Sequence, residues 1–325
     1  MNEGRILIVS QEIDPHVDSM VVALKKRGVR PVRFHTKDFP MKATLSIEFG
    51  QKEGTSVSLD CDGGRLEPGE TRSVWFRRPD RCELPASLSK EERPIAVGEC
   101  EETLQGLYRV LGGFWVNTPD SNRAAGSKIL QTQRAIALGL RVPDTLITND
   151  PKRFKAFYEA HGGNVIVKMQ RQTFWSADLG LSLFTSMVDA SKLESADLIA
   201  NSACFFQEYI PKDVELRVTV IGRRVFAIAL RSQEVPGGKI DWRKAAVGTV
   251  PHEPYALPAD VQEKLLALMD GFGLNYGAID LIVTPEGEHV FLEINPNGQF
   301  GWMENQQKGL GLFDAMAELL IAGKA

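Results

Sequence analysis

The sequence lacks several features that mark whole classes of protein. Its four cysteines, Cys61, Cys82, Cys100 and Cys204, are widely spaced and form no C-x-x-C pair or Cys/His cluster. A zinc site and a disulfide framework are therefore not expected. No G-x-S-x-G turn is present, which removes the usual signature of a serine hydrolase. No apolar run approaches the roughly 18 residues of a membrane span, and the amino terminus has no cleavable signal pattern.

Neither sign of charge dominates the chain. Its 38 basic and 42 acidic residues give a formal net charge of −4, so no general basic field exists to attract nucleic acid or an anionic membrane. Hydrophobic residues make up 43% and charged residues 25%, a globular balance in a chain of 325 residues that suits several subdomains. We expect a soluble, cytoplasmic protein with neither nucleic acid nor membrane as a partner.

The apolar patterns divide the chain into segments. Arg5–Ser10 is typical of a buried strand, Val17–Arg27 has helical spacing, and Val29–His35 alternates like a second strand. This β-α-β opening predicts a small α/β domain, which ends near the turn-forming residues Asn117–Asn122. Helices are expected further along, over Ala124–Gly139, Leu193–Ser202 and Ala259–Gly271.

The most informative feature is a hairpin near the carboxyl terminus, formed by Tyr276–Val283 and His289–Ile294. Glu293 and Asn295 are two apart, so they point to one face, and Asp280 can reach them from the adjacent strand. Their neighbours are apolar, and carboxylates among apolar residues are costly to bury without a partner. Three oxygen donors on one surface suit Mg²⁺, although a solvated sheet face is the alternative.

Two lysines are suited to bind phosphate groups beside such a metal ion. Lys168 stands in the apolar strand VIVKM, where an unpaired charge would lose its hydration. Lys128 stands early in a helix after a turn-rich loop, and by itself it is typical of an ordinary surface lysine. Bound phosphates would compensate both charges.

More polar residues occupy strand ends in the second half of the chain. The backbone of a strand–loop hinge can pair with an adenine edge, and such a hinge is formed by Gln207, Glu208, Tyr209 and Ile210. Glu215 and Arg217 share a strand face, and Arg231 ends the next strand of a predicted hairpin. An acid with two arginines fits ribose and phosphate contacts, and a structural salt-bridge cluster is the alternative.

In this order, the polar residues resemble the motif series of the ATP-grasp ligases. The resemblance covers residues from about 117 to the end. It implies an α/β protein with an ATP-grasp fold: an N-terminal α/β (pre-ATP-grasp) domain over 1–116, a central lid subdomain over 117–192, and a C-terminal sheet subdomain over 193–325. It also implies ATP and Mg²⁺ as cofactors.

A narrower resemblance is carried by VWFRRP at 74–79, ELRVTVIG at 215–222, DWR at 241–243 and NPNGQFGW at 295–302. These motifs are similar to those of the maturases of microviridin-type peptides, the graspetides. Such enzymes join Asp or Glu side chains of a ribosomal precursor peptide to Thr or Ser hydroxyls or to Lys amines. The stretch 169–184 is poor in glycine, unlike the phosphate loop of simpler ATP-grasp ligases, which agrees with the maturase branch.

The resemblance assigns expected roles around the nucleotide. Asp280, Glu293 and Asn295 would hold Mg²⁺, whereas Lys128 and Lys168 would hold the α- and β-phosphates. The 207–210 hinge would meet the adenine and Glu215 the ribose. Arg217 and Arg231 would be catalytic, because they would stabilise the transferring phosphoryl group and the oxyanion.

Peptide contacts are expected outside the nucleotide site. Asp241 and Arg243 would touch the core peptide, with a structural ion pair as the alternative. Glu194 and Asp197 would help to dock the leader segment, and a homodimer is expected from family precedent. Two competing functions stay open: a ligase that adds a free amino acid or amine to a carboxylate, like the ribosomal-protein glutamate ligase of the superfamily, and a nucleotide-binding module without turnover.

Overall fold

The computed structural model describes residues 4–67, 69–170, 184–246 and 248–325. The first elements along the chain are β1 (Arg5–Ser10), α1 (Pro15–Lys26), β2 (Val32–His35), β3 (Thr44–Gly50), β4 (Gly54–Cys61), β5 (Gly64–Leu66), β6 (Thr71–Phe76), α2 (Glu92–Val110) and β7 (Phe114–Val116). Parallel pairing gives a sheet of order β2-β1-β6-β7, and β3, β4 and β5 form a separate antiparallel sheet.

The local sequence explains the β-α-β opening. The side chains of Ile6, Leu7 and Ile8 are buried, as expected for a parallel strand covered on both faces. Helix α1 begins after Asp14, whose carboxylate accepts a hydrogen bond from His16 N, and Pro15 supplies a fixed φ at the first position. The opening predicted from the sequence is confirmed.

The middle of the chain forms a second layer. Its elements are α3 (Pro119–Ala125), α4 (Lys128–Ala137), β8 (Thr145–Thr148), α5 (Pro151–Ala160), β9 (Val165–Lys168), β10 (Ser186–Met187), α6 (Ala190–Glu194), a 3₁₀ turn (Ala196–Asn201) and β11 (Cys204–Glu208). The antiparallel sheet has the order β10-β9-β11-β8. Because β11 pairs with both β8 and β9, the expected boundary after residue 192 would cut this sheet, and we propose a boundary near residue 210 instead.

The last part of the chain forms a larger antiparallel sheet. Its elements are β12 (Val214–Ile221), β13 (Arg224–Leu230), β14 (His252–Pro254), α7 (Ala259–Phe272), β15 (Tyr276–Val283), β16 (His289–Asn295), α8 (Gly301–Gln306) and α9 (Leu312–Ala322). The strand order is β14-β13-β12-β15-β16. One face buries Leu216 and Leu281 in the same cluster as Leu265 of α7. The opposite face is therefore left for the polar residues of these strands.

Two predicted helices are each divided in the structure. The helix expected over Ala124–Gly139 is two helices, α3 and α4, and the Ser127 hydroxyl caps α4 by accepting a hydrogen bond from Leu130 N. The helix expected over Leu193–Ser202 is interrupted at Ser195, where α6 ends and the 3₁₀ turn begins. The capping hydrogen bond of Ser127 explains the first division, whereas the Ser195 side chain makes no capping hydrogen bond. None of the described helices is long and apolar enough to cross a membrane.

Asn117 joins the N-terminal sheet to the C-terminal sheet. It is 1% exposed. Its Oδ1 accepts hydrogen bonds from Asn275 N (2.8 Å) and Tyr276 N (3.0 Å). Its Nδ2 donates to Tyr276 O (2.9 Å), Pro296 O (3.2 Å) and Asn122 Oδ1 (3.0 Å). The turn-rich segment that predicted a boundary therefore contains a buried polar junction.

We expect Asn117→Ala to lower the free energy of unfolding by about 2–4 kcal/mol, because several buried backbone groups would lose their amide partner. Chemical denaturation followed by circular dichroism measures this change. Asn305→Ala, on the exposed surface of α8, is the matched control and should change stability by less than about 0.5 kcal/mol. Equal stability of the two variants would contradict the role given to Asn117.

Candidate active site

Three charged side chains form a row across the C-terminal sheet. Arg217 of β12 stands opposite Asp280 of β15, which stands opposite Glu293 of β16. Directly opposed residues of antiparallel strands point to one face, so all three lie on the face turned away from α7. Asn295 follows on the same face, opposite Ala278. The shared face expected for Asp280, Glu293 and Asn295 is present, and their role as metal ligands stays a prediction.

Each acid of the row has a cationic neighbour. Arg217 Nη1 donates to Asp280 Oδ1 at 2.7 Å, and Lys128 Nζ is ion-paired with the Glu293 carboxylate. Burial lowers the pKa of Lys128 to about 8, with Asp280 acting in the opposite direction. Two carboxylates and the amide oxygen of Asn295 on neighbouring positions are the hard oxygen donors that Mg²⁺ prefers. The donor set therefore fits this metal.

Lys168 brings a second lysine to the row from the central sheet. It is the last residue of β9 and half-buried. Burial lowers the pKa of Lys168 to about 7. Lys128 and Lys212 lower it further, whereas Asp241 and Asp280 oppose this change. A half-buried amine near two other lysines is a place where an anionic ligand would be stabilised.

Lys212 is a site residue that the sequence analysis missed. Its side chain is 6% exposed, and its Nζ donates to Glu215 Oε1 at 2.7 Å and to Ile240 O at 3.1 Å. Burial raises the pKa of Glu215, and Lys212 acts against that rise. The signal in the sequence was a lysine directly before the Asp213–Glu215 acids, which alone is common on surfaces.

The 207–210 hinge connects the two sheets. The buried Gln207 donates through Nε2 to Thr145 Oγ1 at 2.9 Å, and Glu208 Oε1 accepts from Asp144 N at 3.0 Å. These two side chains are therefore engaged with the central sheet. Tyr209 N donates to Asn164 O at 2.8 Å. The expected hinge position is present, and contact with adenine stays a prediction.

An apolar cluster lies next to this hinge. Ile210 packs with Ile282, Val290 and Leu292. Ile282 stands opposite Glu215 and two residues from Asp280, so it shares the face of the charged row. A flat apolar ring would find here a surface beside both the hinge and the acids.

The two arginines expected near the acids are placed differently. Arg217 lies in the row, whereas Arg231 is ion-paired with Glu253, at the edge of the sheet formed by β14. The expectation that the β12–β13 hairpin would bring the Arg231 side chain to Glu215 is not met in the structure. The hairpin forms, but Arg231 follows the last residue of β13 and its guanidinium turns toward the β14 carboxylate.

Arg243 takes the position near the acids that was expected of Arg231. Its Nε and Nη2 donate to both oxygens of the buried Asp241, at 2.8 and 2.6 Å. These bonds raise the pKa of Arg243, and the carboxylates of Asp280 and Glu215 act in the same direction. Asp241 Oδ2 also accepts from Thr185 N at 3.3 Å. Asp241 and Arg243 thus form an ion pair, and contact with a peptide stays a prediction.

The remaining expectations concern the lid region. Glu194 and Asp197 are exposed, and Asp197 lies 3.7 Å from Lys155 of α5. Their role in leader binding is not tested by this placement. Most of the glycine-poor stretch 169–184 lies outside the described residues.

The N-terminal domain contributes two residues to this region: Arg77 of the VWFRRP motif, and His16, which no motif had indicated. Arg77, 1% exposed, donates to Asn297 O and Gly298 O of the NPNG motif. His16 Nε2 accepts from the backbone N of Phe300 and Gly301. Burial lowers the pKa of His16 to about 4, and Arg77 acts in the same direction, so the imidazole is a neutral acceptor.

Comparison with known proteins shows which family the chain resembles. The family model of the MvdD pre-ATP grasp domain matches residues 5–123. The crystal structure of macrocyclase MdnC from Microcystis aeruginosa, bound with precursor peptide MdnA, is 32% identical with a TM-score of 0.85, over 98% of this chain and 99% of that one. A RiPP-associated ATP-grasp ligase from Chryseobacterium gregarium, in complex with ADP and a leader and core peptide, is 30% identical with a TM-score of 0.91, over 99% and 98%.

Macrocyclase MdnB from Microcystis aeruginosa is also 30% identical, with a TM-score of 0.80, over 98% of this chain and 100% of that one. A search of curated protein sequences gives no match. The fold and the charged row define an ATP-dependent ligase with an ATP-grasp fold. With identities of 30% and 32% over nearly the whole chain, the protein belongs to the ATP-grasp macrocyclases of ribosomally made, post-translationally modified peptides (RiPPs).

Proposed function

We propose that this ligase macrocyclises a ribosomally made precursor peptide. It would join Asp or Glu side-chain carboxyls to Ser or Thr hydroxyls, or to Lys amines. The observation that carries the proposal is the row of Arg217, Asp280 and Glu293 near Lys128 and Lys168, because it brings carboxylates that would suit a metal next to amines that would suit phosphate. Similarity to ligases whose structures contain precursor or leader and core peptides supports the substrate class.

The chemistry explains the need for ATP. A carboxylate is a poor acyl donor, because oxide would have to leave. Transfer of the γ-phosphoryl group to the carboxylate oxygen gives an acyl phosphate and ADP, and phosphate then becomes the leaving group. Attack of a hydroxyl or amine on the carbonyl carbon forms the ester or amide, releases phosphate and a proton, and removes the elements of one water per linkage.

Asp280, Glu293 and Asn295 would hold Mg²⁺, which supplies charge neutralisation at the phosphate oxygens when bound. Lys128 and Lys168 would contact the α- and β-phosphates. Lys128 is paired with Glu293 of the C-terminal sheet, and Lys168 ends β9 of the central sheet, so a phosphate chain would bridge the two sheets. Positioning and charge are the main demands of phosphoryl transfer, and this arrangement addresses both.

Arg217 is the residue we assign to the transferring phosphoryl group and the tetrahedral oxyanion. It stands next to Asp280 in the row. Arg231 would have the expected catalytic role only if its ion pair with Glu253 opened when substrate is present. We infer that adenine binds at the 207–210 hinge against Ile210 and Ile282, with Glu215 at the ribose.

We propose that the core segment of the precursor peptide contacts the Asp241–Arg243 pair. Arg243 faces Asp280 and Glu215, so a peptide carboxyl near it would approach the row. Exposed Glu194 and Asp197 are proposed to help dock the leader. A homodimer is a further proposal, which light scattering tests. Consumption of ATP suggests that the reaction takes place in the cytoplasm.

The test incubates the purified protein with Mg²⁺, ATP and candidate precursor peptides encoded beside its gene. Macrocyclisation predicts a peptide that loses the mass of one water per linkage and resists proteolysis between the linked residues. The reaction should form one ADP for each linkage. A gain of peptide mass in the presence of free amino acids would instead support the amino-acid-adding ligase. Nucleotide binding without ADP formation, with every candidate peptide, would contradict the proposal.

We expect binding of Mg·ADP to take up a proton above neutral pH. With a pKa of about 7, Lys168 is about nine-tenths neutral at pH 8, and a bound phosphate favours its charged form. Affinity should therefore fall as the pH rises above 7. Calorimetry in two buffers with different ionisation enthalpies measures the uptake. At pH 8 it should be about 0.9 proton from Lys168 and about 0.5 proton from Lys128, whose pKa is about 8, and near pH 6 it should fall to about 0.1 proton in total.

Two lysine variants test whether Lys168 is the group that takes up the proton. Lys168→Met should bind the nucleotide more weakly and lose most of the uptake. Lys152→Met, an exposed lysine on α5 of the same sheet layer, should retain the wild-type uptake. Undiminished uptake in Lys168→Met would show that another group takes the proton.

A further inference from the structure

The loop that follows β16 has three consecutive backbone carbonyls that accept hydrogen bonds from arginine side chains. Arg77 Nη1 donates to both Asn297 O and Gly298 O. Arg217 Nη2 donates to Gln299 O at 3.3 Å. Three successive carbonyls of the segment 297–299, here termed the arginine-held loop, are therefore satisfied by guanidinium groups.

Two further hydrogen bonds fix the same loop. Arg78 Nη2 donates to Asn297 O at 3.3 Å, and the Tyr276 hydroxyl donates to Gly298 O at 2.6 Å. Gly298 also lies against β15, where a Cβ would come within 2.4 Å of Ala278 Cβ. Only glycine allows this approach, so both hydrogen bonding and packing define the position of the loop.

The loop is connected directly to the proposed metal site. Asn297 N donates to Asn295 Oδ1 at 3.1 Å, so the position of Asn297 sets the direction of the Asn295 amide oxygen. At its other end, Gln299 O orients the guanidinium of Arg217, which also contacts Asp280. A shift of the loop would therefore move one proposed metal ligand and one proposed catalytic group together.

Arg77 stands in the interior at a considerable energetic cost. It is 1% exposed, and its one carboxylate neighbour among the described residues is Asp14, whose Oδ2 lies 3.4 Å from Nε. Buried ion pairs contribute little net stability, so stability alone is a weak reason for a guanidinium here. Its Nη1 instead reaches two carbonyls of the loop at once, whereas Nε and Nη2 make no hydrogen bond to the described residues.

We propose that Arg77 is a positioning residue of the active site: from the N-terminal domain, it fixes the arginine-held loop and thereby aims Asn295 at Mg²⁺ and Arg217 at the reacting phosphoryl group. This inference rests on the proposed function, in which Asn295 is a metal ligand. The partners are 220 residues apart in the sequence, so the N-terminal domain completes the site rather than only covering it.

The test compares Arg77→Lys with wild type in the Mg²⁺ dependence of ADP binding, measured by calorimetry. A lysine keeps the charge, but its shorter side chain does not place Nζ where Nη1 lies, so the contact with the two carbonyls weakens. Groups that orient a metal ligand typically affect metal affinity about 10- to 100-fold. The Mg²⁺ concentration that gives half of the maximal enhancement of ADP binding should therefore rise by about tenfold or more. ADP affinity without Mg²⁺ should stay at the wild-type value, and Mn²⁺ binding followed by electron paramagnetic resonance should weaken in parallel.

Arg72→Lys is the matched control. Arg72 lies on β6, the strand that ends directly before Arg77, and it donates to Ile321 O at 3.0 Å without touching the arginine-held loop. Its variant should lose stability without changing the Mg²⁺ dependence. Tyr276→Phe removes only the bond to Gly298 O and should shift the Mg²⁺ dependence in the same direction, by less.

The inference is overturned if Arg77→Lys and Tyr276→Phe show the Mg²⁺ dependence of wild type. If Arg77→Lys fails to fold, Tyr276→Phe with Arg72→Lys decides the question alone. Absence of Mg²⁺-dependent ADP binding in the wild-type protein would refute the proposed function itself, which separates the two failures.

Discussion

Glu293→Gln should lower the rate of ADP formation and of peptide crosslinking by about a thousandfold at a fixed Mg²⁺ concentration. The substitution keeps the size of the side chain and one oxygen donor, but it removes the negative charge from the centre of the proposed metal site. Mg²⁺ prefers charged oxygen ligands, so the neutral amide would compete poorly with water. The nucleotide phosphates would then keep charge that the metal would otherwise neutralise.

The same change alters the surroundings of Lys128. This buried lysine is ion-paired with Glu293. Loss of the carboxylate removes that partner, which favours the neutral form of the Lys128 amine. The phosphate contact of Lys128 would therefore weaken at neutral pH, in the same direction as the loss of metal.

Glu288→Gln is the matched control, because Glu288 lies at the start of the same hairpin arm and is more than half exposed in its pair with Arg141. It should retain wild-type rates. Both variants are assayed for ADP by a coupled reaction and for crosslinking by mass spectrometry, with thermal unfolding as a check on folding. A folded Glu293→Gln enzyme within about tenfold of wild type at low Mg²⁺ would contradict the metal assignment.

Arg217→Lys should reduce kcat by about 10²–10³-fold while leaving ATP affinity nearly unchanged. The arginine is 12% exposed and uses separate nitrogens for Asp280 and Gln299 O. A lysine supplies a charge but cannot reproduce this planar fork, so the substitution tests geometry rather than charge alone. An interaction made mainly in the transition state lowers kcat, whereas loss of ground-state binding, as expected for Lys168→Met, raises KM.

Arg223→Lys provides the control for this second variant. Arg223 lies at the turn between β12 and β13, and it is exposed in a pair with Asp270. Single-turnover kinetics with a precursor peptide separate binding from chemistry. If Arg231→Lys lost kcat and Arg217→Lys did not, the roles of the two arginines would be reversed, and the Glu253 pair would have to open during catalysis.

The sequence predicted the row of oxygen ligands because strand alternation is local. Residues two apart share a face whatever the rest of the fold does, so Glu293 and Asn295 could be paired from strand periodicity alone. Apolar neighbours then indicated that the acids were not on a simple solvated face. The order of the motifs predicted the ATP-grasp fold and its family, and the comparisons confirm both.

Other parts of the site depend on contacts that no local pattern reports. Lys212 was missed because its significance lies in its burial against Glu215 and Ile240. Arg231 was expected beside the acids because the hairpin was predicted correctly, but the direction of a long side chain at a strand end is decided by β14. Arg243 reaches the acids through a loop whose path alternation cannot predict.

By itself, the sequence determined the strand faces, the apolar cores and the order of the chemical groups, since these follow from side-chain periodicity and hydration. The tertiary structure decided the register that sets Arg217 opposite Asp280 and Asp280 opposite Glu293. It also decided that Arg77, 220 residues before Asn297, holds the loop beside Asn295. Register and such distant contacts arise from packing of whole elements, in which each residue's partner depends on all the others.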